Sequence, residues 1–162
     1  MKWFTPTPRT LEELKKQYRT LAMKHHPDCG GSTADMQSIN AEYDVLFAKL
    51  KDIHTAADGS TYKATTTETP EQFKNIINRL IVLEGINIEI IGSWLWVTGN
   101  TYQHKEIIKS LLFRWSSSKK AWYFHGDNYH KTSRKTFTLD EIRDLFGSQT
   151  IVSKPQLKLT IV

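Results

Sequence analysis

The chain has 162 residues, of which 39% are hydrophobic and 24% charged, and a formal net charge of +5. These proportions are those of folded globular domains and exclude a wholly disordered chain. No apolar run approaches the roughly 20 residues of a membrane-spanning helix, and the N-terminus lacks the apolar segment of a secretory signal. We therefore expect a cytoplasmic protein without membrane contact. The single cysteine, Cys29, agrees with a reducing compartment because it cannot form an internal disulfide.

The first predicted element is an amphipathic helix over residues 10–25. Thr10 and Glu13 form a capping-box pattern that marks its start, with the glutamate reaching back to the N–H of Thr10. Pro27 ends it, because the residue before a proline is restricted to extended conformations. One face is apolar and is expected to meet a core, whereas the other is basic and is expected in solvent together with Lys15. The apolar set is Leu11, Leu14, Tyr18, Leu21 and Ala22, and the basic set is Lys16, Arg19 and Lys24.

A second amphipathic helix is predicted after a flexible Cys-Gly-Gly turn. Ser32 or Thr33 can cap it, and its apolar residues recur at spacings of three and four. Two such helices joined by a short loop are expected to pack antiparallel, with Trp3 and Phe4 covering the open end of a small core. The apolar residues of this helix are Met36, Ile39, Tyr43, Leu46, Phe47 and Leu50.

Residues 9–50 closely resemble helices II and III of the J-domain of DnaJ-type co-chaperones. The resemblance rests on a Tyr-Arg helix, the His26-Pro27-Asp28 tripeptide directly after it, and an Ile-Asn-x-x-Tyr-x-Val-Leu helix that follows at the expected distance. The first helix of the family is reduced here to the region of Trp3, and the fourth helix with its basic motif is not evident. The chain therefore resembles a truncated or divergent J-domain.

The resemblance implies that the chain binds a DnaK-type ATP-dependent chaperone and stimulates its ATP hydrolysis. The His-Pro-Asp tripeptide would be the trigger, and the basic helix residues would dock on an acidic chaperone surface. In physical terms, basic side chains steer association, and a fixed turn can present a carboxylate to an arginine of a partner. The chain would shift the partner's conformational equilibrium without catalysing hydrolysis itself. The predicted chaperone-binding residues are Lys16, Arg19, Lys24, His26, Pro27 and Asp28.

The sequence predicts neither intrinsic catalysis nor a bound metal or cofactor. Candidate ligands after the first helix are so close in sequence that they rarely surround one ion without a second cluster. The histidines of the second half are irregularly spaced, and no nucleophile elbow or phosphate-binding glycine loop is present. We therefore expect no enzyme. The residues considered are His25, His26, Asp28 and Cys29 in the first half, and His104, His125 and His130 in the second.

Shifts in composition divide the chain into predicted domains. Residues 1–52 form the J-like helical domain, and residues 53–68, rich in Thr, Ala, Gly and Ser, are predicted to be a partly flexible linker. Residues 69–148 combine helix-start signals with two strand pairs, which predicts an α+β domain of order αββαββα. Residues 149–162 could add an edge strand or pair with another copy. The predicted fold class is therefore α + (α+β), with an N-terminal antiparallel helical hairpin of J-domain type.

Positive charge is concentrated in the second half. Residues 102–135 contain eight Lys/Arg and two Asp/Glu, a net charge of +6. Their cations could neutralise phosphates, and the interleaved aromatic side chains could stack on bases. Because alternate strand residues face opposite sides and a small domain needs large core residues, we assign Trp96, Trp122 and Phe124 to the core. Alternatively, the charges only keep the domain soluble. The possible nucleic-acid-binding residues are Arg114, Trp115, Lys119, Lys120, Tyr123, Lys131, Arg134 and Lys135.

Residues 94–147 resemble in outline a small domain of bacterial, plasmid and phage proteins, and the annealing-helicase module of HARP type. The similar segments are Trp-Val-Thr-Gly-Asn-Thr, a helix, and Phe-Arg-Trp-Ser-Ser-Ser-Lys-Lys-Ala-Trp-Tyr-Phe. Two functions therefore stay open. The first is a co-chaperone whose C-terminal domain selects the client or site. The alternative is a nucleic-acid-binding accessory protein of a phage or mobile element, with DNA or RNA as partner and a vestigial J-like hairpin.

Overall fold

A computed structural model describes residues 2–56, 58–91, 94–125, 138–146 and 148–152, without the side chains of residues 145, 146 and 148–152. These residues form five α-helices and two antiparallel sheets, so the predicted mixture of helix and sheet is confirmed at the level of fold class. No helix in this part of the chain is long and apolar enough to cross a membrane.

The first two helices, α1 (Leu11–His25) and α2 (Thr33–Leu50), lie antiparallel. The end of α1 faces the start of α2, while the Tyr18 and Tyr43 rings at mid-helix are 4.6 Å apart. The apolar faces predicted from helical spacing are buried between them. The buried apolar residues are Leu11, Leu14, Tyr18 and Ala22 on α1, and Met36, Ile39, Tyr43, Leu46, Phe47 and Leu50 on α2.

Both helices begin at side-chain caps. Thr10 Oγ1 accepts the N–H of Glu13 at 3.3 Å, as predicted. The Glu13 carboxylate, however, accepts the N–H of Arg9 at 2.7 Å, so the reciprocal bond falls one residue earlier than the capping box predicts. Ser32 Oγ accepts the N–H of Asp35 at 3.1 Å, which selects Ser32 as the cap of α2.

The N-terminal arm covers one end of the helix pair. Phe4 is fully buried, and the indole Nε1 of Trp3 donates to Ser38 Oγ at 3.0 Å. The Glu42 carboxylate accepts the backbone N–H groups of Lys2 at 2.9 Å and Trp3 at 3.0 Å. Desolvation raises the pKa of Glu42, but these hydrogen bonds outweigh it, and the pKa is lowered. The arm is therefore held in place by packing and by a charge-assisted pair of bonds.

The segment predicted as a linker, residues 53–68, contains a short hairpin fixed to α1. Strand β1 (Ile53–Thr55) pairs antiparallel with β2 (Thr61–Lys63). His54 is buried, and its Nδ1 lies 2.8 Å from Oε1 of Glu12 on α1. Strands of three residues leave no periodic signal in the sequence, and their anchor lies 42 residues away along the chain, so the pattern did not predict them.

The second half begins with α3 and forms a five-stranded antiparallel sheet. In chain order its elements are α3 (Pro70–Leu80), β3 (Ile86–Ile91), β4 (Trp94–Gly99), α4 (Lys105–Ser110), β5 (Arg114–Ser116), β6 (Ala121–Phe124), α5 (Leu139–Phe146) and β7 (Ser148–Val152). The strand order across the sheet is β5-β6-β4-β3-β7. β7 is an edge strand at the start of the predicted tail, whereas the strand-like stretch at residues 157–162 lies outside the described residues.

Strand alternation gives the sheet two different faces. The inner face packs with α1, α3 and α4 in the main core, through residues such as Ile88, Val97 and Phe124. The outer face carries a smaller cluster that includes Trp96, and it packs against α5. Trp96 is 3% exposed and Phe124 is 9% exposed, which confirms their assignment to the core. Trp122 lies on the inner face and is partly buried against the same core.

An aromatic cluster joins the two halves of the chain. The ring of Phe73 on α3 lies 5.9 Å from both Tyr18 and Tyr43. The Tyr18 hydroxyl donates to Asn40 Oδ1 at 2.9 Å and accepts from Asn78 Nδ2 at 3.2 Å, so one phenol binds α2 and α3 together. Desolvation raises the pKa of Tyr18 to about 12. A contiguous core thus runs through both predicted domains.

The polar face of α1 is buried against the second half. Lys15 Nζ lies 2.6 Å from Oε2 of Glu68, and both side chains are almost fully buried. Arg19 is 0% exposed, and its Nη1 donates to the carbonyl of Ile88 at 2.9 Å. The prediction that Lys15 and Arg19 face solvent is therefore wrong. Helical spacing places Lys15 at the edge of the apolar stripe, four residues after Leu11 and three before Tyr18, with Arg19 one turn further along. The prediction gave more weight to their charge than to this position.

The Lys15–Glu68 pair provides a test of this buried contact. We expect Glu68→Leu to lower the free energy of unfolding by about 3–5 kcal/mol, because it leaves the Lys15 ammonium buried without its counter-charge. The double variant Lys15→Met/Glu68→Leu removes both charges and should recover most of that loss. Urea unfolding followed by circular dichroism measures both. Lys49→Met, at an exposed position on α2, is the control and should change stability by no more than about 0.5 kcal/mol.

Phe73→Ala tests whether the halves unfold together. Truncating this buried ring should cost about 3–5 kcal/mol. Native-state hydrogen exchange should show amide protection falling by a similar free energy in α2 and in β3, because both elements share the core that Phe73 completes. Loss of protection confined to one half would contradict a single cooperative unit.

Candidate functional site

The His-Pro-Asp turn, residues 26–28, stands at the exposed end of α1. The N–H of His26 still donates to the Ala22 carbonyl at 2.9 Å, but its backbone is extended, as the following proline predicts. Residues Pro27–Cys29 then form one turn of 3₁₀ helix, in which His26 Nδ1 accepts the N–H of Asp28 at 3.1 Å. The imidazole is thus fixed as a cap, while the Asp28 side chain is 69% exposed and its carboxylate Oδ2 lies 3.7 Å from His26 Nδ1.

Close backbone packing holds this turn against α1. The N–H groups of Cys29 and Gly31 both donate to the carbonyl of His26 at 2.9 Å. Gly31 passes so near α1 that a Cβ there would lie 2.0 Å from the His25 carbonyl oxygen. The His25 ring in turn packs edge-on against Trp3, with 4.8 Å between the ring centroids. The N-terminal arm therefore supports the residue that precedes the tripeptide.

The predicted docking cations lie in three different environments. Lys24 is exposed, two residues before the tripeptide, and Lys16 is half-buried. Desolvation and the nearby Arg19 guanidinium lower the pKa of Lys16. Desolvation also lowers the pKa of Arg19 to about 10, although the Glu89 carboxylate opposes that shift. Arg19 is buried against the sheet, so its predicted docking role would require that contact to open, whereas Lys24 and Asp28 are both exposed.

The outer face of the sheet carries a cluster of stacked aromatic rings. Trp94 is central: its ring lies 5.8 Å from Trp96, 5.7 Å from Tyr123 and 4.4 Å from His125, each at an interplanar angle below 30°. Beside this cluster, Glu89 accepts two hydrogen bonds from Arg143 on α5, one of them at 2.7 Å. Those bonds raise the pKa of the arginine. Tyr123, a predicted exposed residue, is therefore half-buried within a stack that α5 helps to cover.

A second surface, which we call the aromatic groove, opens on the inner side of the sheet between α4 and the β5 edge. It has a volume of about 610 Å³. Trp115 is 48% exposed, and Tyr102 is 78% exposed. Lys105 Nζ lies 4.6 Å from the centroid of the Tyr102 ring. The residues that line the groove are Thr101, Tyr102, Lys105, Lys109, Phe113, Arg114, Trp115 and Trp122.

The predicted nucleic-acid residues do not form one surface. Arg114 and Trp115 line the aromatic groove, whereas Lys119 and Lys120 lie on the turn between β5 and β6, where Lys119 Nζ is 5.9 Å from the Trp96 ring. Lys131, Arg134 and Lys135 lie outside the described residues. The groove also contains Tyr102, Lys105 and Lys109, which the sequence reading missed. The available signal was the i,i+4 spacing of the two lysines, the first of which comes three residues after Tyr102.

The described part of the chain contains no group of three or more His, Cys, Asp or Glu side chains that could hold a metal ion. Comparison of the chain with protein-family models, curated proteins and solved structures finds no match. Function has to be inferred from the geometry of these two surfaces.

Two neighbouring glycines test how the turn is held. Gly31→Ala should force the chain away from α1 and lower stability by about 2–3 kcal/mol, because the new Cβ would meet the backbone of His25. Gly30→Ala is the matched control: Gly30 has φ of +89° but open space around it, so only backbone strain of about 1–2 kcal/mol is expected.

The indole N–H resonance of Trp3 separates the two glycine variants, since Trp3 contacts His25. It should shift in Gly31→Ala and keep its position in Gly30→Ala. Equal shifts in both variants would show that the close approach to His25 is not what positions the turn.

Proposed function

We propose that this chain is a co-chaperone of J-domain type, which binds a DnaK-type ATP-dependent chaperone and stimulates its ATP hydrolysis. The observation that carries the proposal is the presentation of Asp28. Its carboxylate projects from a turn fixed by the His26 cap, by Pro27 and by the close approach of Gly31, and its side chain is 69% exposed. A partner arginine can pair with such a carboxylate without any rearrangement of this chain.

The charge around the turn supports the same proposal. Lys24 is exposed one turn before Asp28, and Lys16 is half-exposed further along α1. Exposed lysines next to a projecting carboxylate favour a partner surface that combines acidic residues with at least one arginine, and they raise the rate of association at low salt. Arg19 would act differently from its predicted role: its buried bond to Ile88 keeps α1, and therefore the turn, in a fixed position.

The proposed mechanism needs no catalytic atom from this chain. A ligand shifts a two-state protein only by its difference in affinity for the two states. The Asp28 carboxylate and the rigid turn would bind more tightly to the chaperone conformation that is competent for hydrolysis. His26 acts as a positioning residue, because its ring accepts the N–H of Asp28 and so fixes the direction of the carboxylate.

Steady-state ATP hydrolysis by a DnaK-type chaperone tests the proposal. Wild-type protein should stimulate the rate, and Asp28→Asn should raise the half-maximal concentration at least tenfold, because a charge-assisted hydrogen bond is worth about 1.5–3 kcal/mol. His26→Gln should produce a loss of the same order. Asp144→Asn removes another exposed carboxylate, on α5, and should behave as wild type.

Two outcomes would contradict the proposal. The first is an unchanged hydrolysis rate with folded wild-type protein. The second is equal stimulation by wild type and Asp28→Asn, which would show that the exposed carboxylate is not recognised. Circular dichroism of each variant is the check that the turn mutations leave the fold intact.

A further inference from the structure

We propose that the aromatic groove binds single-stranded nucleic acid, with bases stacking on Trp115 and Tyr102 and phosphates pairing with Lys105, Lys109 and Arg114. This site is separate from the His-Pro-Asp turn and does not depend on the co-chaperone proposal. It is formed by α4, the 3₁₀ turn before it, and the β5–β6 strand pair.

The aromatic side chains carry the first part of the inference. Trp115 and Trp122 are directly paired across β5 and β6, with ring centroids 5.5 Å apart and an interplanar angle of 61°. Trp122 is packed against the core, and it supports Trp115, which is 48% exposed. Tyr102 is 78% exposed at the other side of the groove. Exposed rings backed by a rigid sheet are stacking platforms for bases of any sequence.

The charges carry the second part. Lys105 and Lys109 are one helical turn apart on α4 and therefore lie on the same side of it, facing the edge strand that bears Arg114. None of the eight residues that line the groove is acidic. Glu106 is exposed on α4 but is not among them. Arg114 is paired with Tyr123, so its side chain leaves β5 on the face opposite Trp115 and belongs to the edge of the groove. Two lysines and this edge arginine beside a mostly aromatic floor match a ligand with anionic linkages and flat apolar rings.

The shape of the groove favours a single strand over a duplex or an acidic peptide. In a duplex the base faces are stacked on one another and are unavailable to Trp115 or Tyr102, so only the phosphates would bind. An acidic peptide satisfies the lysines but leaves the exposed rings without a stacking partner. A single strand of DNA or RNA uses both features, and these two sources are separated by the experiment.

Fluorescence anisotropy of the full chain with a labelled oligothymidylate of about 20 nucleotides tests the inference. We expect salt-sensitive binding that is tighter than binding to a duplex of equal length. Trp115→Ala should weaken it about tenfold to a hundredfold, as loss of one stacked base does. Tyr102→Ala alters the most exposed ring of the groove and gives a second measurement if Trp115→Ala proves unstable.

Two charge-reversal double variants distinguish binding in the groove from a general attraction of nucleic acid to the positive charge of the protein. Lys105→Glu/Lys109→Glu should weaken binding and, if both lysines contact phosphates, lower the slope of log affinity against log salt by about 1.4. Lys119→Glu/Lys120→Glu makes the same change in net charge on the β5–β6 turn, outside the groove lining, and should keep both the slope and the stacking contribution.

An oligouridylate of equal length shows whether RNA is preferred, and either preference agrees with a single-strand site.

The inference is overturned if the two charge-reversal pairs lose affinity equally while Trp115→Ala and Tyr102→Ala bind as wild type. It is also overturned if the duplex binds as tightly as the single strand, or if polyglutamate displaces the oligonucleotide at equal charge concentration. None of these outcomes bears on ATPase stimulation, so the two proposals fail or stand separately.

Discussion

The contact on which the rest of this structure depends is the burial of the polar face of α1. Lys15 lies between α1 and the start of α3, where it pairs with the Glu68 carboxylate, and Arg19 lies against the sheet, where it donates to the carbonyl of Ile88. Charged groups are expensive to desolvate, so they can be buried only where a partner atom is already in place. Such a contact tolerates little variation in position. The hydrophobic core supplies most of the favourable free energy, but these paired groups fix how the two halves are oriented.

This orientation explains how one chain holds two separate surfaces. The side of α1 that carries Lys15 and Arg19 cannot serve a partner, so a partner can approach this helix only at its exposed positions, which include Lys24 and lead to the turn that follows. Among the described residues, helices cover the inner face of the sheet and α5 packs against the cluster on its outer face, while Trp115 on the edge strand β5 and Tyr102 before α4 stay exposed. Each of the two proposed sites lies on a described surface that the other half of the chain does not cover.

Local signals explain what the sequence could predict. The starts of α1 and α2 follow from Thr10 and Ser32, whose side chains bond to amides three residues away, and the end of α1 follows from Pro27. The burial of Phe124 follows from strand alternation, whereas Trp96, on the opposite face, is buried because Tyr123 and α5 pack against it. The helix starts and the end of α1 depend on residues only a few positions apart, so a local sequence pattern is enough to predict them.

Contacts between distant residues explain what the sequence could not predict. Arg19 looked like a solvent-facing cation because its partner is the backbone of Ile88, and a backbone carbonyl leaves no trace in residue type. His54 seemed to lie in a linker because Glu12, which fixes it, is 42 residues earlier. The aromatic groove combines Tyr102 with Trp115 and Trp122, and only the fold brings those rings together.

The aromatic cluster of Tyr18, Tyr43 and Phe73 also bears on how such a protein can change during evolution. A pair of helices at one end of a chain can be exchanged between proteins as a unit only where it makes few contacts with the rest of the chain. Here a breakpoint within residues 53–68 would separate Phe73 from the two tyrosines and Glu68 from Lys15, leaving apolar rings and an unpaired cation on the exchanged piece. The two halves are therefore expected to be inherited together, with a substitution on one side of this interface accompanied by an adjustment on the other.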